Sequence, residues 1–179
     1  MGETEFLIDR TNRIGSLFCM KSEDLKTYTS TQLELVYRTP YPQQNIPRGI
    51  WKGRMLARID SKGGRNVLHQ IWQGVLFDLL PYGLWFDGKS SGAWYFFTEG
   101  LRLGEFKIVN GKSRFRDTEC LQMTYEKARL PSLVKNLLYD ELKWISADLI
   151  LGLGAMNFEK GEGDQFFFLL EKVNEPEKV

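Results

Sequence analysis

Two acidic residues at alternating positions, Asp117 and Glu119, are candidates for acid–base chemistry in this sequence. In a strand they share one face, and if that face is internal, their proximity raises the pKa of one carboxyl, as paired catalytic acids require. A β-bulge near Thr118 that exchanges the two faces accounts for the same pattern and is favoured. Arg114 and Arg116 then face the interior, where either can bind a ligand carboxylate.

The other reactive residue types do not form a recognisable site. His69, the single histidine, lies on the polar side of a helical pattern and is predicted to be a solvated helix residue, with no orienting partner for base catalysis. Cys19 and Cys120 are predicted to be separate thiols in a reducing compartment, and Cys120 lies on the outward side of its strand, which favours a structural thiol over a nucleophile. We therefore predict no catalytic residue, no metal site and no cofactor.

Composition limits the class of protein. The hydrophobic fraction of 42 % is enough for a real core, and the net charge of +1 gives no reason to expect a nucleic-acid partner. Basic residues concentrate in 48–65 and 102–116, which predicts either solvated strand faces or a basic rim that attracts the anionic headgroup of a ligand. No signal peptide and no membrane span are recognisable, so we expect a cytoplasmic protein with a single domain covering 1–179.

Short alternating strands with tight turns dominate the pattern after residue 48. Trp51 to Asp60 alternates apolar and polar residues, which indicates a strand with one buried face. Asp87-Gly88 and Asn110-Gly111 predict hairpin turns, with a long strand from Ser113 to Glu126. The final strand, 165–172, has five consecutive apolar residues, so both of its faces must be buried, by a helix, a partner chain or a second copy.

These elements predict a mainly β fold, a single antiparallel barrel of the lipocalin or fatty-acid-binding type with short flanking or capping helices. Residues 1–47 form a helical and extended lead-in, and 48–173 form the barrel. Helices are expected from Ser22 toward Tyr37, at 66–80 and at 130–140.

Strand parity predicts which side chains line the barrel. The candidates for ligand binding have either an inward position by strand alternation or a hydroxyl that could bind the polar end of a ligand. The alternative interpretation is that these side chains form only a packed core. They are Met55, Tyr95, Tyr125, Phe166 and Phe168, together with Arg114 and Arg116. A structural plug is predicted from Gly49, Trp51 and Gly53, with Lys172 covering the Trp51 ring through a cation–π contact.

The sequence resembles a family of uncharacterised lipocalin-like domains named for a Gly-x-Trp-x-Gly motif. The matching residues are Gly49-Ile50-Trp51-Lys52-Gly53, then Met123-Thr124-Tyr125, Leu130-Pro131, Leu149-Ile150-Leu151-Gly152, Met156, Lys160-Gly161 and Phe166-Phe167-Phe168-Leu169. The resemblance implies a calycin-type barrel and supplies no activity or catalytic residue. Nitrobindin-like barrels, which start similarly, bind haem through a histidine near the last strand, and here that strand has none, which leaves only His69 for such a role.

The sequence thus favours a barrel that binds a hydrophobic or amphipathic small molecule, such as a fatty acid, an isoprenoid or a tetrapyrrole-like compound, with its acid near an arginine. Two alternatives remain at this stage. One is an isomerase or cyclase that uses the same cavity. The other is a partner-binding or chromophore-lyase-like barrel, or a homodimer, favoured by the apolar strand at 165–172.

Overall fold

The last strand pairs with the first, so the eight strands of the described part of the chain form a closed antiparallel barrel in chain order. The computed structural model describes residues 20–41, 45–59, 82–126, 128, 138–156 and 164–173. Two helices, α1 (Ser22–Thr27) and α2 (Ser30–Arg38), precede the barrel. The strands are β1 (Arg48–Ile59), β2 (Tyr82–Asp87), β3 (Ser91–Phe96), β4 (Thr98–Lys112), β5 (Glu119–Thr124), β6 (Leu138–Ser146), β7 (Leu149–Met156) and β8 (Asp164–Lys172).

Closure depends on the pairing of β1 with β8, which runs from Trp51 opposite Lys172 to Ile59 opposite Gln165. A register shift between Met55 and Ala57 interrupts this ladder. Because every strand has neighbours on both sides, no open sheet edge remains in the barrel. The predicted mainly β barrel with short helices is confirmed.

Alternate side chains of each strand point into the barrel and form one interior cluster. Its members are mostly aromatic or branched aliphatic and are nearly inaccessible to solvent. They are Trp51, Tyr82, Leu84, Phe86, Trp94, Phe106, Ile108, Leu121, Met123, Tyr125, Ala128, Leu142, Ile150, Phe166, Phe168 and Leu170.

The two helices cover the outer face of β6 to β8 and the adjoining part of β1. Leu33 and Tyr37 of α2 pack in one cluster with Phe167 and Leu169 of β8, and the Tyr37 and Phe167 ring centroids are 5.9 Å apart. The apolar strand that suggested a protein partner or a second copy is therefore covered by its own chain. Among the described residues, no helix has the length and apolarity needed to cross a membrane.

The helix predicted from Ser22 toward Tyr37 is divided into two. Thr29 has extended backbone angles and begins the second helix, because its hydroxyl accepts a hydrogen bond from the Gln32 amide while the Gln32 side chain accepts one from the Thr29 amide. The predicted helix at 66–80, with His69, lies outside the described residues, as do Cys19 and residues 130–137 of the helix predicted at 130–140. The last part of that helix is wrong, because residues 138–140 begin β6.

One of the two predicted hairpin turns is confirmed. At Asp87-Gly88, the Asp87 carboxylate accepts hydrogen bonds from the amides of Lys89, Ser90 and Ser91, and Gly88 has a φ of 77°.

The turn predicted at Asn110-Gly111 is wrong. β4 continues to Lys112, with Gly111 opposite Cys120, and the connection is the segment 113–118. The Ser113 hydroxyl holds this segment by accepting hydrogen bonds from the Phe115 and Arg116 amides. The long strand expected from Ser113 is therefore shortened to β5, and a turn stands where a bulge near Thr118 was favoured.

Glycines in the barrel wall leave room for interior rings. A Cβ on Gly152 would lie 2.1 Å from the Phe168 ring, and one on Gly154 would lie 2.3 Å from the Phe166 ring. Both glycines are on β7 directly opposite these phenylalanines of β8. The interior rings therefore lie flat against the strand beside them.

We expect Gly152→Ala to destabilise the protein by about 1–3 kcal/mol, because the added methyl group must displace a packed ring. Gly100→Ala is the matched control, since the nearest atom to its Cβ is 3.9 Å away. Urea unfolding of both variants measures the difference, and equal stability would contradict this account of the wall.

Candidate functional site

A carboxyl group lies inside the apolar barrel. On β6, Leu138, Leu142 and Trp144 pack with the interior cluster, and Asp140 has the same parity. Asp140 is buried, with only 5 % of its surface exposed. Burying a carboxyl costs free energy unless hydrogen bonds compensate for the lost water, so its partners decide what this site can do.

Asp140 ends a chain of hydrogen bonds formed by three side chains. The Tyr125 hydroxyl donates a short hydrogen bond to Asp140 Oδ2, and Trp94 Nε1 donates to the Tyr125 oxygen at 2.7 Å. Gly154 lies opposite Asp140 on β7, where a Cβ would be 2.8 Å from Asp140 Oδ1. Residues from β3, the end of β5, β6 and β7 therefore build this site together.

Burial raises the pKa of Asp140 to about 7, the Tyr125 hydrogen bond partly offsets this, and the nearby Glu141 carboxyl raises it further. Burial, and then the Asp140 charge, raise the pKa of Tyr125 well above its usual value. Near neutral pH, Tyr125 is thus a neutral hydroxyl donor, while Asp140 exchanges between its charged and neutral forms.

Aromatic rings surround this hydrogen-bonded chain. The Trp94 ring lies 5.7 Å from Tyr82 and 6.2 Å from Phe168, and the Phe106 ring lies 6.0 Å from Tyr125. Met55, Phe96 and Leu138 are partly buried and pack against the same cluster. They stand toward the barrel end at which β1 and β3 finish and β6 begins, which is the end nearer to Asp140.

Four predicted lining residues lie in or against the interior cluster: Met55, Tyr125, Phe166 and Phe168. Their role in ligand binding stays a prediction. Tyr95, in contrast, points outward, where it packs over Gly83 and its hydroxyl donates to the Trp51 carbonyl oxygen at 3.3 Å. Tyr95 is adjacent to the inward Trp94 on β3, so alternation excludes it from the interior.

The predicted interior position of Arg114 and Arg116 is wrong. The Arg114 guanidinium lies 4.3 Å from the centroid of the outward Tyr139 ring. Arg116 makes a short ion pair with Glu34 of α2 and donates to Gln165 at 3.1 Å. Both arginines belong to the 113–118 turn, so the strand parity used for them does not apply.

The acid pair is also external. Asp117 and Glu119 are exposed, Asp117 in the 113–118 turn and Glu119 on β5 opposite Lys112. Glu119 shares the parity of the inward Leu121 and Met123 but lies at the exposed start of its strand, so the two acids do not form a buried pair. The interior carboxyl is Asp140 instead.

Trp51 lies toward the opposite end of the barrel from Asp140. Its ring packs edge-on against Phe86 and Trp144, and its Nε1 donates to the Arg48 carbonyl oxygen at 3.1 Å. Gly49 has a φ of 85°, and a Cβ on Gly53 would lie 2.2 Å from the Tyr82 ring.

The predicted cation–π contact between Lys172 and Trp51 is not formed. Lys172 is paired with Trp51 in the ladder but is exposed. The cation–π contacts in the described part of the chain are Arg102 over Trp85 and Arg114 over Tyr139.

A second buried acid, Glu141, points outward and joins α2 to the barrel. It accepts hydrogen bonds from the Tyr37 hydroxyl at 2.8 Å, the Arg114 amide at 2.5 Å and the Ser113 hydroxyl. Burial, and then the Glu141 charge, raise the pKa of Cys120 to about 12. The Cys120 thiol is therefore protonated at neutral pH and unsuited to nucleophilic attack.

Sequence reasoning missed Asp140 because a helix was expected at 130–140. A strand beginning at Leu138 would have shown, by the alternation of Leu138, Asp140, Leu142 and Trp144, an acid among inward apolar residues.

No family model and no curated protein matches this chain. Among solved structures, a similar one is titled "Crystal structure of protein from Thermomonospora curvata". It is 15 % identical, with a TM-score of 0.48, and the alignment covers 82 % of this chain and 89 % of that chain. Similarity at this level supports no inference about function.

We expect Asp140→Asn to change the pH dependence of stability. Because folding raises the pKa of Asp140 from 3.8 to about 7, the native state binds this proton more tightly. The free energy of unfolding of the wild type should therefore fall between pH 4 and pH 7, by about 4 kcal/mol relative to Asp140→Asn.

Urea unfolding of both proteins from pH 4 to pH 8 measures this difference. The depressed pKa values of Asp87 and Glu34 act in the opposite sense at lower pH, but they are common to both proteins and cancel. Parallel stability profiles would show that Asp140 keeps an ordinary pKa.

Proposed function

We propose that this protein binds a small apolar molecule that carries a hydrogen-bond donor, inside the barrel and against Asp140. The supporting observation is the Asp140 carboxyl in an interior otherwise made of apolar and aromatic side chains. Apolar surroundings with a few convergent polar groups and a perturbed pKa are typical of small-molecule sites. A barrel of about eight strands is either filled by its own side chains or holds one small ligand, and the proposal takes the second case.

The charge of Asp140 decides which class of ligand fits the barrel interior. A carboxylate accepts hydrogen bonds and repels another carboxylate, so Asp140 disfavours an ionised fatty acid. Arg114 and Arg116, expected to bind the acid of such a ligand, lie outside the barrel. An isoprenoid alcohol or the N–H group of a tetrapyrrole-like compound supplies the donor that Asp140 needs.

Partly buried apolar side chains support an approach from the nearer end of the barrel. Met55, Phe96 and Leu138 lie toward that end and pack against the interior cluster. The apolar body of a ligand would replace water at these side chains while its donor reaches Asp140. The proposal also retains membership of the Gly-x-Trp-x-Gly lipocalin-like family, whose calycin-type barrel agrees with the closed eight-stranded topology.

We expect the wild type at pH 8 to bind 1-dodecanol about tenfold more tightly than dodecanoate, because the alcohol donates to the ionised Asp140 and the acid is repelled by it. Isothermal titration calorimetry measures both affinities. Asp140→Asn should lose most of this preference. Glu119→Gln makes the same chemical change at a solvent-exposed position and should keep it. A wild type that binds neither compound, or prefers dodecanoate, contradicts the proposal.

The Asp140 pKa of about 7, next to a neutral tyrosine hydroxyl, favours proton transfer on the bound molecule as a second function, of the isomerase kind. This function predicts deuterium uptake from D2O by bound 2-dodecanone at the carbons beside its carbonyl, faster as pH rises through about 7. Mass spectrometry measures the uptake. Asp140→Asn should abolish it and Asp117→Asn/Glu119→Gln should retain it, whereas uptake that survives in Asp140→Asn would exclude this function.

A further inference from the structure

The hairpin between β3 and β4 carries exposed apolar side chains at its tip. Phe97 is 58 % exposed and Leu101 is 45 % exposed. Phe97 stands between Phe96 and Thr98, which pair across the turn. This tip lies at the barrel end nearer to Asp140, where β3 finishes and β6 begins.

Phe97 has a backbone conformation that disfavours its own side chain. Its φ is 64°, in the left-handed region, where glycine is the usual residue and a bulky one is an outlier. Gly88 and Gly104 have positive φ values elsewhere in the barrel. Because the Phe97 ring is largely exposed, it contributes little buried apolar surface to the fold. The strained backbone therefore indicates that this side chain has a role outside the barrel.

Cations lie on the outer face of β1 to β4, and Arg102 is the one nearest to this tip. Lys52 of β1, Gly83, Tyr95 and Arg102 of β4 form one row across four strands, so Lys52 and Arg102 are about 14 Å apart along the sheet. The Arg102 guanidinium lies 4.3 Å from the Trp85 ring centroid.

Arg54, two residues after Lys52 on the same face of β1, is also exposed. We call Lys52, Arg54 and Arg102 the basic patch. Among the side chains that the structure describes, two acids lie beside the basic patch: Glu105, which pairs with Ala93 in the next row away from the tip, and Glu171, which is opposite Lys52 on β8 and is 3.4 Å from the Lys26 ammonium. The three cations of the patch thus exceed these two acids, one of which is already paired with Lys26.

We propose that the Phe97–Leu101 tip and the basic patch dock the barrel onto an anionic membrane surface, with the barrel end nearer to Asp140 toward the lipid. Aromatic and aliphatic side chains insert at headgroup level, and nearby cations are attracted to anionic headgroups. The helix cluster reaches β1 at Leu56, Ala57 and Ile59, but Lys52, Arg54 and Arg102 are exposed. Docking does not depend on the interior ligand.

Co-sedimentation with two kinds of vesicle tests the proposal. One kind is phosphatidylcholine alone, and in the other phosphatidylglycerol makes up about a third of the lipid. The wild type should bind the anionic vesicles more tightly and lose this preference in about 1 M NaCl, where charges are screened.

Removing one cation, by Lys52→Gln or Arg102→Gln, should weaken binding roughly fivefold. Phe97→Ser should weaken it roughly tenfold. Val109→Ser is the matched control, because Val109 is 49 % exposed on β4 but lies away from the tip, and this variant should bind as the wild type does.

Phe97→Gly separates docking from folding. Glycine relieves the positive φ, so this variant should be at least as stable as the wild type in urea while binding vesicles as weakly as Phe97→Ser. Equal vesicle binding by Phe97→Gly and wild type overturns the proposal. So does wild-type binding to heparin but not to anionic vesicles, which would assign the basic patch to a soluble polyanion. Alcohol binding by the vesicle-deficient variants is expected to be unchanged, so failure of docking is distinct from failure of the interior site.

Discussion

The pairing of β1 with β8 is the constraint on which the rest of this structure depends. It joins the first and last strands over the stretch from Trp51 to Ile59 and closes the sheet. Closure gives each strand an inner and an outer face. Side chains on the inner face are removed from water by the barrel itself, whereas apolar side chains on the outer face must be buried by other elements. The helices supply that cover over β6 to β8 and part of β1, and Glu141 holds α2 there by accepting a hydrogen bond from the Tyr37 hydroxyl.

The two neighbouring acids of β6 illustrate how closure assigns roles. Asp140 points inward, where burial raises its pKa to about 7, and Glu141 points outward, where it satisfies a hydroxyl from a helix and groups from a turn. Their chemistry in water is nearly the same. The difference comes from the partners that the barrel and its outer layer bring to each carboxyl, which is why Asp140 is the candidate ligand anchor and Glu141 is structural.

Several parts of this fold were predictable because their signals are local. The run Phe166 to Leu170 requires burial on both faces wherever it lies, and the Asp87-Gly88 turn is specified by one carboxylate and one flexible residue. The interior site was less predictable, because its members are far apart in sequence. Arg114 and Arg116 were assigned inward by a strand parity that ends at the 113–118 turn, and this single turn moved both arginines outside the barrel.

The sequence by itself determined the fold class, the position of the closing strands and the parity of Met55, Tyr125, Phe166 and Phe168, since alternation and turn residues act over a few positions. Only the tertiary structure decided that Trp94, Tyr125 and Asp140 form one hydrogen-bonded chain, and that the outer face of β8 is covered by its own helices. Those outcomes depend on register and closure between distant strands. A one-residue change of register reverses which face a side chain occupies, and local sequence does not fix that choice.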